Sequence, residues 1–205
     1  MVLLASCGGG ERRVPFEEVN LYGLDRDTMI YGFCSSGSAM NTLQIITDAD
    51  DTITLNLATA RDNNMVLGGY AVGDEIAVAV NADTTEATMV VNKSALNGNW
   101  IMSNPLDGSS EMGIRIKEGG IAESIDQPSL AYRSWKLFNG QLEIVAIREG
   151  GGDEVETNLY DIVAIGPDTL IYKNDEDLFE YSRYKHVEHK DIIQLEDTSE
   201  EDFSI

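Results

Sequence analysis

Two histidines, His186 and His189, stand three apart in a chain of 205 residues, a spacing at which two imidazoles can clasp one metal ion from the same face of a helix. A zinc site needs three or four ligands, and no cysteine or further histidine is near. Lys185, Glu188 and Lys190 around the pair suit a solvated segment instead. Three groups of carboxylates, Asp48/Asp50/Asp51, Asp153/Glu154/Glu156 and Asp175/Glu176/Asp177, could gather calcium. None has the alternating Asp spacing and following Glu of a calcium loop. With 36 Asp and Glu in the chain, such groups arise from composition, and all three fall at turns. Glycosidase chemistry needs two carboxylates aimed across a sugar, and nothing singles out such a pair. Cys34, in Tyr31-Gly-Phe-Cys-Ser-Ser-Gly-Ser38, would need a base within reach to act as a nucleophile. Both histidines lie far along the chain, so Cys34 reads as a small hydrophobe near a strand end. The glycines at 8–10, 119–120 and 150–152 lack the strand–loop–helix setting of a phosphate cradle. Gly-x-Ser-x-Gly, Cys-x-x-Cys and His-Glu-x-x-His do not occur. The chain reads as a non-enzyme, with no catalytic residue, metal or cofactor assigned.

The remaining chemically distinctive residue is Cys7. Leu4-Ala5-Ser6-Cys7 has the form of the site at which a secretory signal is cut and the new terminal cysteine takes up lipid. A full signal supplies a basic region and an apolar stretch of about 7–15 residues first, more than Met1 to Ser6 can hold. Lipidation of Cys7 therefore carries the expectation that Met1 is not the native start and that an upstream start adds the missing signal. Gly8 to Gly10 then form a flexible tether between membrane and folded body.

Composition narrows the partners. Lys and Arg number 14, and the formal charge is −22. Such a surface repels phosphate backbones and anionic headgroups, which argues against nucleic acid and against electrostatic membrane docking. A hydrophobic fraction of 42% and a charged fraction of 24% suit a globular protein, and no apolar run reaches the length that spans a bilayer.

The elements that position these residues read as strand after strand. In 41–47 and 52–57 the apolar residues Leu43, Ile45, Ile53, Leu55 and Leu57 recur at every second position around an Asp48–Asp51 turn. The pattern returns in 74–80 and 87–91, with no helical stretch between. Residues 14–93 are thus expected to form a small OB- or SH3-like barrel, the weaker of two likenesses. In the second half, Lys117-Glu-Gly-Gly120 and Asn139-Gly140 mark tight turns. Around the latter, Trp135, Leu137, Leu142 and Ile144 can share one face. Strands 159–165, 169–172 and 178–184 complete about seven, for which closure into an up-and-down barrel removes exposed edges. The expected class is all-β: two small antiparallel barrels, 14–93 and 94–185. A truncated signal and tether at 1–13 precedes them, and an acidic tail at 186–205 has too little apolar content to pack.

Leu96-Asn-Gly-Asn-Trp100 carries the stronger likeness. Gly98-x-Trp100 opening an antiparallel barrel resembles lipocalin-like proteins. With Met112 to Ile125 and Ser129 to Leu137, the run is similar to the lipocalin-like domain of lipoproteins from gut-dwelling Gram-negative bacteria, over roughly residues 96–184. The resemblance implies that Trp100 plugs the closed end of the barrel under a basic side chain from a late strand, here Arg183. It also implies a cavity for a small hydrophobic or amphipathic ligand. Its expected lining or core is Tyr132, Trp135, Leu137, Leu142, Ile144, Tyr160, Ile162, Phe179 and Tyr181. Lipid on Cys7 would hold the protein at the envelope, on the periplasmic side of the outer membrane, because no acidic stretch follows the cysteine. The alternative is a structural or protein-interaction module of the envelope without a small ligand.

Overall fold

The computed structural model describes residues 26–104, 108, 110–148, 150 and 154–184. Cys7, the 1–13 tether, the 186–205 tail and the His186/His189 pair lie outside the described residues.

The chain is all-β, in two connected sheets. The first contains β1 (Ile30–Cys34), β2 (Thr42–Thr47), β3 (Thr52–Asn56), β4 (Val66–Leu67), β5 (Glu75–Val80) and β6 (Ala87–Asn92), with a short helix α1 (Ala58–Asp62) after β3. Alternation directs Leu43, Ile45, Leu55, Ile76 and Val78 to a core in which each has no solvent exposure. The strand order is β3-β2-β1-β5-β6-β4, so the expected closed N-terminal barrel is replaced by a six-stranded sheet. Asn56 of β3 meets Glu86, just before β6, at one parallel bridge, where the Asn56 amide donates to the Thr85 carbonyl at 2.9 Å. The reason lies on β6. Its further length is taken by β4, which pairs with it in parallel at Val66–Val90 and Leu67–Val91, leaving β3 no edge to close against. The sequence pattern also passes over α1, whose five residues are too few to register a helical period.

A second helix, α2 (Lys93–Leu96), links the sheets. Its cap Asn92 accepts from the Ala95 amide (2.9 Å) and donates to Asp74 (2.8 Å), tying the linker to the first sheet. The second sheet is a closed barrel of β7 (Gly98–Ser103), β8 (Glu111–Lys117), β9 (Ile121–Ile125), β10 (Leu130–Phe138), β11 (Gln141–Arg148), β12 (Glu154–Ile165), β13 (Thr169–Lys173) and β14 (Leu178–Arg183). Neighbours run antiparallel, and β14 closes onto β7 through Arg183–Trp100 and Ser182–Ile101. The thinnest joint is β9 to β10, with one ladder pair, Ser134–Ile121. There the Ser124 hydroxyl stands in for the ladder, donating to the Leu130 carbonyl (2.5 Å) and accepting from the Tyr132 amide (2.8 Å).

The two sheets share one core. Met29, Leu67, Ala77 and Val91 of the first pack in the same cluster as Trp100, Leu137, Leu142 and Ile165 of the barrel. The Asn139-Gly140 hairpin tip is pinned to the segment before β1. Its φ angles of 49° and 83° are those of a primed turn. Asn139 Oδ1 accepts from the Thr28 amide and hydroxyl, both at 2.9 Å, and its own amide donates to Asp27 (3.2 Å). The Tyr31 hydroxyl, donating to Asp27 (2.6 Å), also lies 3.1 Å from the Leu137 carbonyl. Among the described residues no helix is long and apolar enough to cross a membrane.

Candidate ligand site in the barrel

Inward positions follow from alternation along each strand, and they divide the barrel into a sealed end and an aromatic end. At the sealed end lie Trp100, Ile114, Ile116, Leu142 and Leu170, each at 1% exposure or less, with Trp135, Leu137 and Ile144 beside them. Trp100 donates its indole N–H to the Leu96 carbonyl at 2.7 Å. Over its ring, 4.1 Å from the centroid, stands the guanidinium of Arg183, which donates to the carbonyls of Pro167, Asn97 and Ala95. The spacing in Gly98-x-Trp100 has a steric cause. A Cβ at Gly98 would lie 2.2 Å from Arg183 Nη1, so only glycine leaves room for the cation over the ring.

The aromatic region starts directly on this sealed floor, since Tyr160 is the register partner of Leu142 and Tyr181 that of Leu170, and it extends along β14 to Phe179, roughly 13 Å from Arg183 at 3.3 Å per residue. There Tyr160, Tyr172, Phe179 and Tyr181 form a ring cluster. Centroids are 4.9 Å apart for Tyr160–Tyr172, 5.6 Å and edge-on for Tyr160–Phe179, and 5.4 Å for Tyr172–Tyr181. These are the separations at which aromatic pairs attract beyond their buried area. Tyr172 and Tyr181 are buried, whereas Tyr132, Tyr160 and Phe179 keep part of their surface in solvent. The Tyr172 hydroxyl donates to that of Tyr181 at 3.2 Å. The side chain of Tyr132 neighbours those of Tyr181 and Gln127 beside this pair. Burial holds the Tyr172 and Tyr181 protons well above the ordinary tyrosine range and raises that of Tyr132 too, because a phenolate in this apolar setting would be unsolvated.

Three charged groups share the inner side of their strands near the rim, Arg148 on β11 with Glu154 and Glu156 on β12, and Arg148 and Glu156 are the pair in contact. They close on each other through two hydrogen bonds of 2.6 and 3.1 Å. Among the described residues no group of three or more His, Cys, Asp or Glu is placed to hold a metal. Cys34 is buried at the end of β1, its sulfur 3.2 Å from the Ser38 hydroxyl.

All nine residues expected to line the barrel sit on its inner side or in its core, and they fall into two sets. Trp135, Leu137, Leu142, Ile144 and Ile162 are packed core; Tyr132, Tyr160, Phe179 and Tyr181 gather at the aromatic end. Sequence reading missed Tyr172, the ring at the centre of the cluster. The signal was available in the alternation with Leu170 and in the pairing of Tyr172 with Phe179 across the β13–β14 hairpin. Asn139 was read as a turn residue, and its docking contacts carry no local signal.

No curated protein matches the chain. Among solved structures, a lipocalin-like protein from Bacteroides thetaiotaomicron is 27% identical over a stretch covering 44% of this chain and 97% of that one, with a TM-score of 0.40. A family model described as lipocalin-like matches residues 92–184, which span α2 and the whole barrel from β7 to β14. Over residues 92–184 the chain is similar to the lipocalin-like family.

Proposed function

We propose that the barrel is a binding domain for a small hydrophobic or amphipathic ligand, in a protein held at the cell envelope of a Gram-negative bacterium by lipid on Cys7. One observation carries the first part. The barrel is packed solid around Trp100, yet its far end carries three rings, Tyr132, Tyr160 and Phe179, that are only partly covered. Half-covered aromatic surface above an apolar floor, with a few convergent hydroxyls, is what a small-molecule site offers. The support for the anchor is the sequence Leu4-Ala5-Ser6-Cys7 alone.

The neutral apolar dye N-phenyl-1-naphthylamine tests the binding site. Its fluorescence rises saturably with the full chain, and Phe179→Ala weakens binding. Phe33→Ala, an exposed ring on the first sheet at 52% accessibility, leaves it unchanged. Absence of saturable binding, or equal loss in both variants, removes the ligand reading. The anchor is tested by the mass of the Cys7 peptide from a membrane fraction and by release of Cys7→Ser to the soluble fraction.

A second reading, a module that engages a protein partner, draws support from Phe33 and Ile46. They are cross-strand partners on the outer face of the first sheet and are 52% and 44% exposed.

A further inference from the structure

The ligand's chemistry can be narrowed beyond apolar or amphipathic, an inference that rests on the binding role proposed above. Each cation on the inner side of the barrel is already engaged. Arg183 is spent on the Trp100 ring and three carbonyls at the sealed end, and Arg148 on the two oxygens of Glu156 at the rim. Between them the inward side chains among the described residues are neutral, from Met102, Met112 and Ile144 to Ser124, Asn158 and the tyrosine cluster. An anionic head, such as the carboxylate of a fatty acid, would be buried without a counter-charge unless it broke the Arg148–Glu156 pair. The field of the whole chain, at a formal −22, opposes its approach as well.

What the site offers instead is ring faces, tyrosine hydroxyls and the amide of Asn158, the register partner of inward Ile144. Tyr172, at 1% exposure, donates to Tyr181, at 3%, and beside the pair stands Tyr132, on the inner side of β10 and partly exposed. Of these three tyrosines, Tyr132 alone keeps part of its surface open. Gln127, held by donation of its amide to the Gly113 carbonyl at 3.0 Å, neighbours that tyrosine. A hydrogen bond in such a low-dielectric setting is stronger than in water. We infer that the barrel takes an uncharged, planar-ring ligand carrying a hydroxyl or carbonyl oxygen, with the ring against Tyr160 and Phe179 and the oxygen on the Tyr132 hydroxyl.

Three probes of one shape test this by titration of the full chain near neutral pH, read by tryptophan fluorescence and calorimetry: naphthalene, 1-naphthol and 1-naphthoate. The expected order is 1-naphthol tightest, by about two- to tenfold over naphthalene, the worth of one net hydrogen bond, and 1-naphthoate weakest. Tyr132→Phe keeps the ring and is expected to erase the naphthol preference while naphthalene binding persists. Binding of 1-naphthoate as tight as 1-naphthol, measured on the unaltered chain, overturns the inference and leaves the ligand-binding role standing. A naphthol preference that survives in folded Tyr132→Phe overturns it too. Failure of all three probes to bind removes the ligand-binding role itself.

Discussion

The guanidinium of Arg183 lies 4.1 Å from the ring centroid of Trp100 and at the same time donates to three carbonyls, those of Pro167 (2.6 Å), Asn97 (2.8 Å) and Ala95 (3.1 Å). Asn97 and Ala95 belong to the α2 linker, Pro167 to the β12–β13 turn, and Trp100 to the first barrel strand. One side chain therefore ties the last described strand to the first, to a turn and to the joint between the two sheets. Arg183→Leu is expected to lower stability by about 2–4 kcal/mol, combining a cation–π contact of about 0.5–2 kcal/mol with carbonyls left short of donors. Arg183→Lys should recover only part of this, since a compact ammonium cannot, as the planar guanidinium over the ring does, reach three separated carbonyls from three nitrogens. Urea midpoints at unchanged m-value check it, and a loss below about 0.5 kcal/mol for Arg183→Leu would contradict the assigned role.

Gly98 and Arg183 should be coupled. A Cβ at residue 98 would lie 2.2 Å from Arg183 Nη1, so Gly98→Ala must push the cation off the ring. The expected cost is about 1–3 kcal/mol in the native background. In an Arg183→Leu background much of that cost should vanish, giving a coupling of about 1 kcal/mol or more in a double-mutant cycle. Additive losses would mean that the Gly98 backbone conformation, rather than the space beside it, sets the requirement.

Much of the barrel was legible because its signals are local. Alternation marks the inner faces of β10 and β11, the Asn139-Gly140 pair dictates a primed turn, and Gly98-x-Trp100 is a compact motif, although the cation that requires its glycine, Arg183, lies far along the chain. Three features escaped, two because their cause lies far along the chain and one, β1, because its local pattern is broken. The first sheet does not close because β4 occupies β6, a parallel pairing that links residues 66–67 to 90–91. Strand β1 contains Gly32 and ends on Cys34, with an exposed Phe33 between buried neighbours, so its pattern is broken at both apolar signal and propensity. Tyr172 stands at the end of a short strand, and only the ring packing across three strands makes it the centre of the cluster.

The docking of the two sheets gives a separate expectation. Asn139→Gly keeps the positive φ of 49° available and the main-chain bond to Asp27 intact. It removes the side-chain bonds to Thr28 and to the Arg26 carbonyl. Loss of about 1–2 kcal/mol is expected. Because Leu67, Ala77 and Val91 share a core with barrel residues, the loss should appear as one unfolding transition at lower temperature, with calorimetric and van't Hoff enthalpies equal. Two resolved transitions would show that the sheets unfold independently.

Alkaline pH should unfold the protein through its tyrosines. Burial raises the Tyr172 and Tyr181 hydroxyls above their ordinary value of 10.0. Tyr31 moves the same way, first through burial and then through its bond to Asp27. In the unfolded chain these groups ionise near that ordinary value, while the folded chain keeps its protons. Above about pH 10 the unfolded state thus binds fewer protons, and stability falls as pH rises; below about pH 9 the contribution is fully present. Tyr172 and Tyr181 each supply a slope of up to about 1.4 kcal/mol per pH unit. Urea midpoints measured from pH 8 to 11 should be flat and then drop, and Tyr172→Phe should make the drop shallower by about one proton. If the tyrosinate absorbance of all eight tyrosines rose near pH 10 while circular dichroism stayed native, the buried hydroxyl run would not exist in solution.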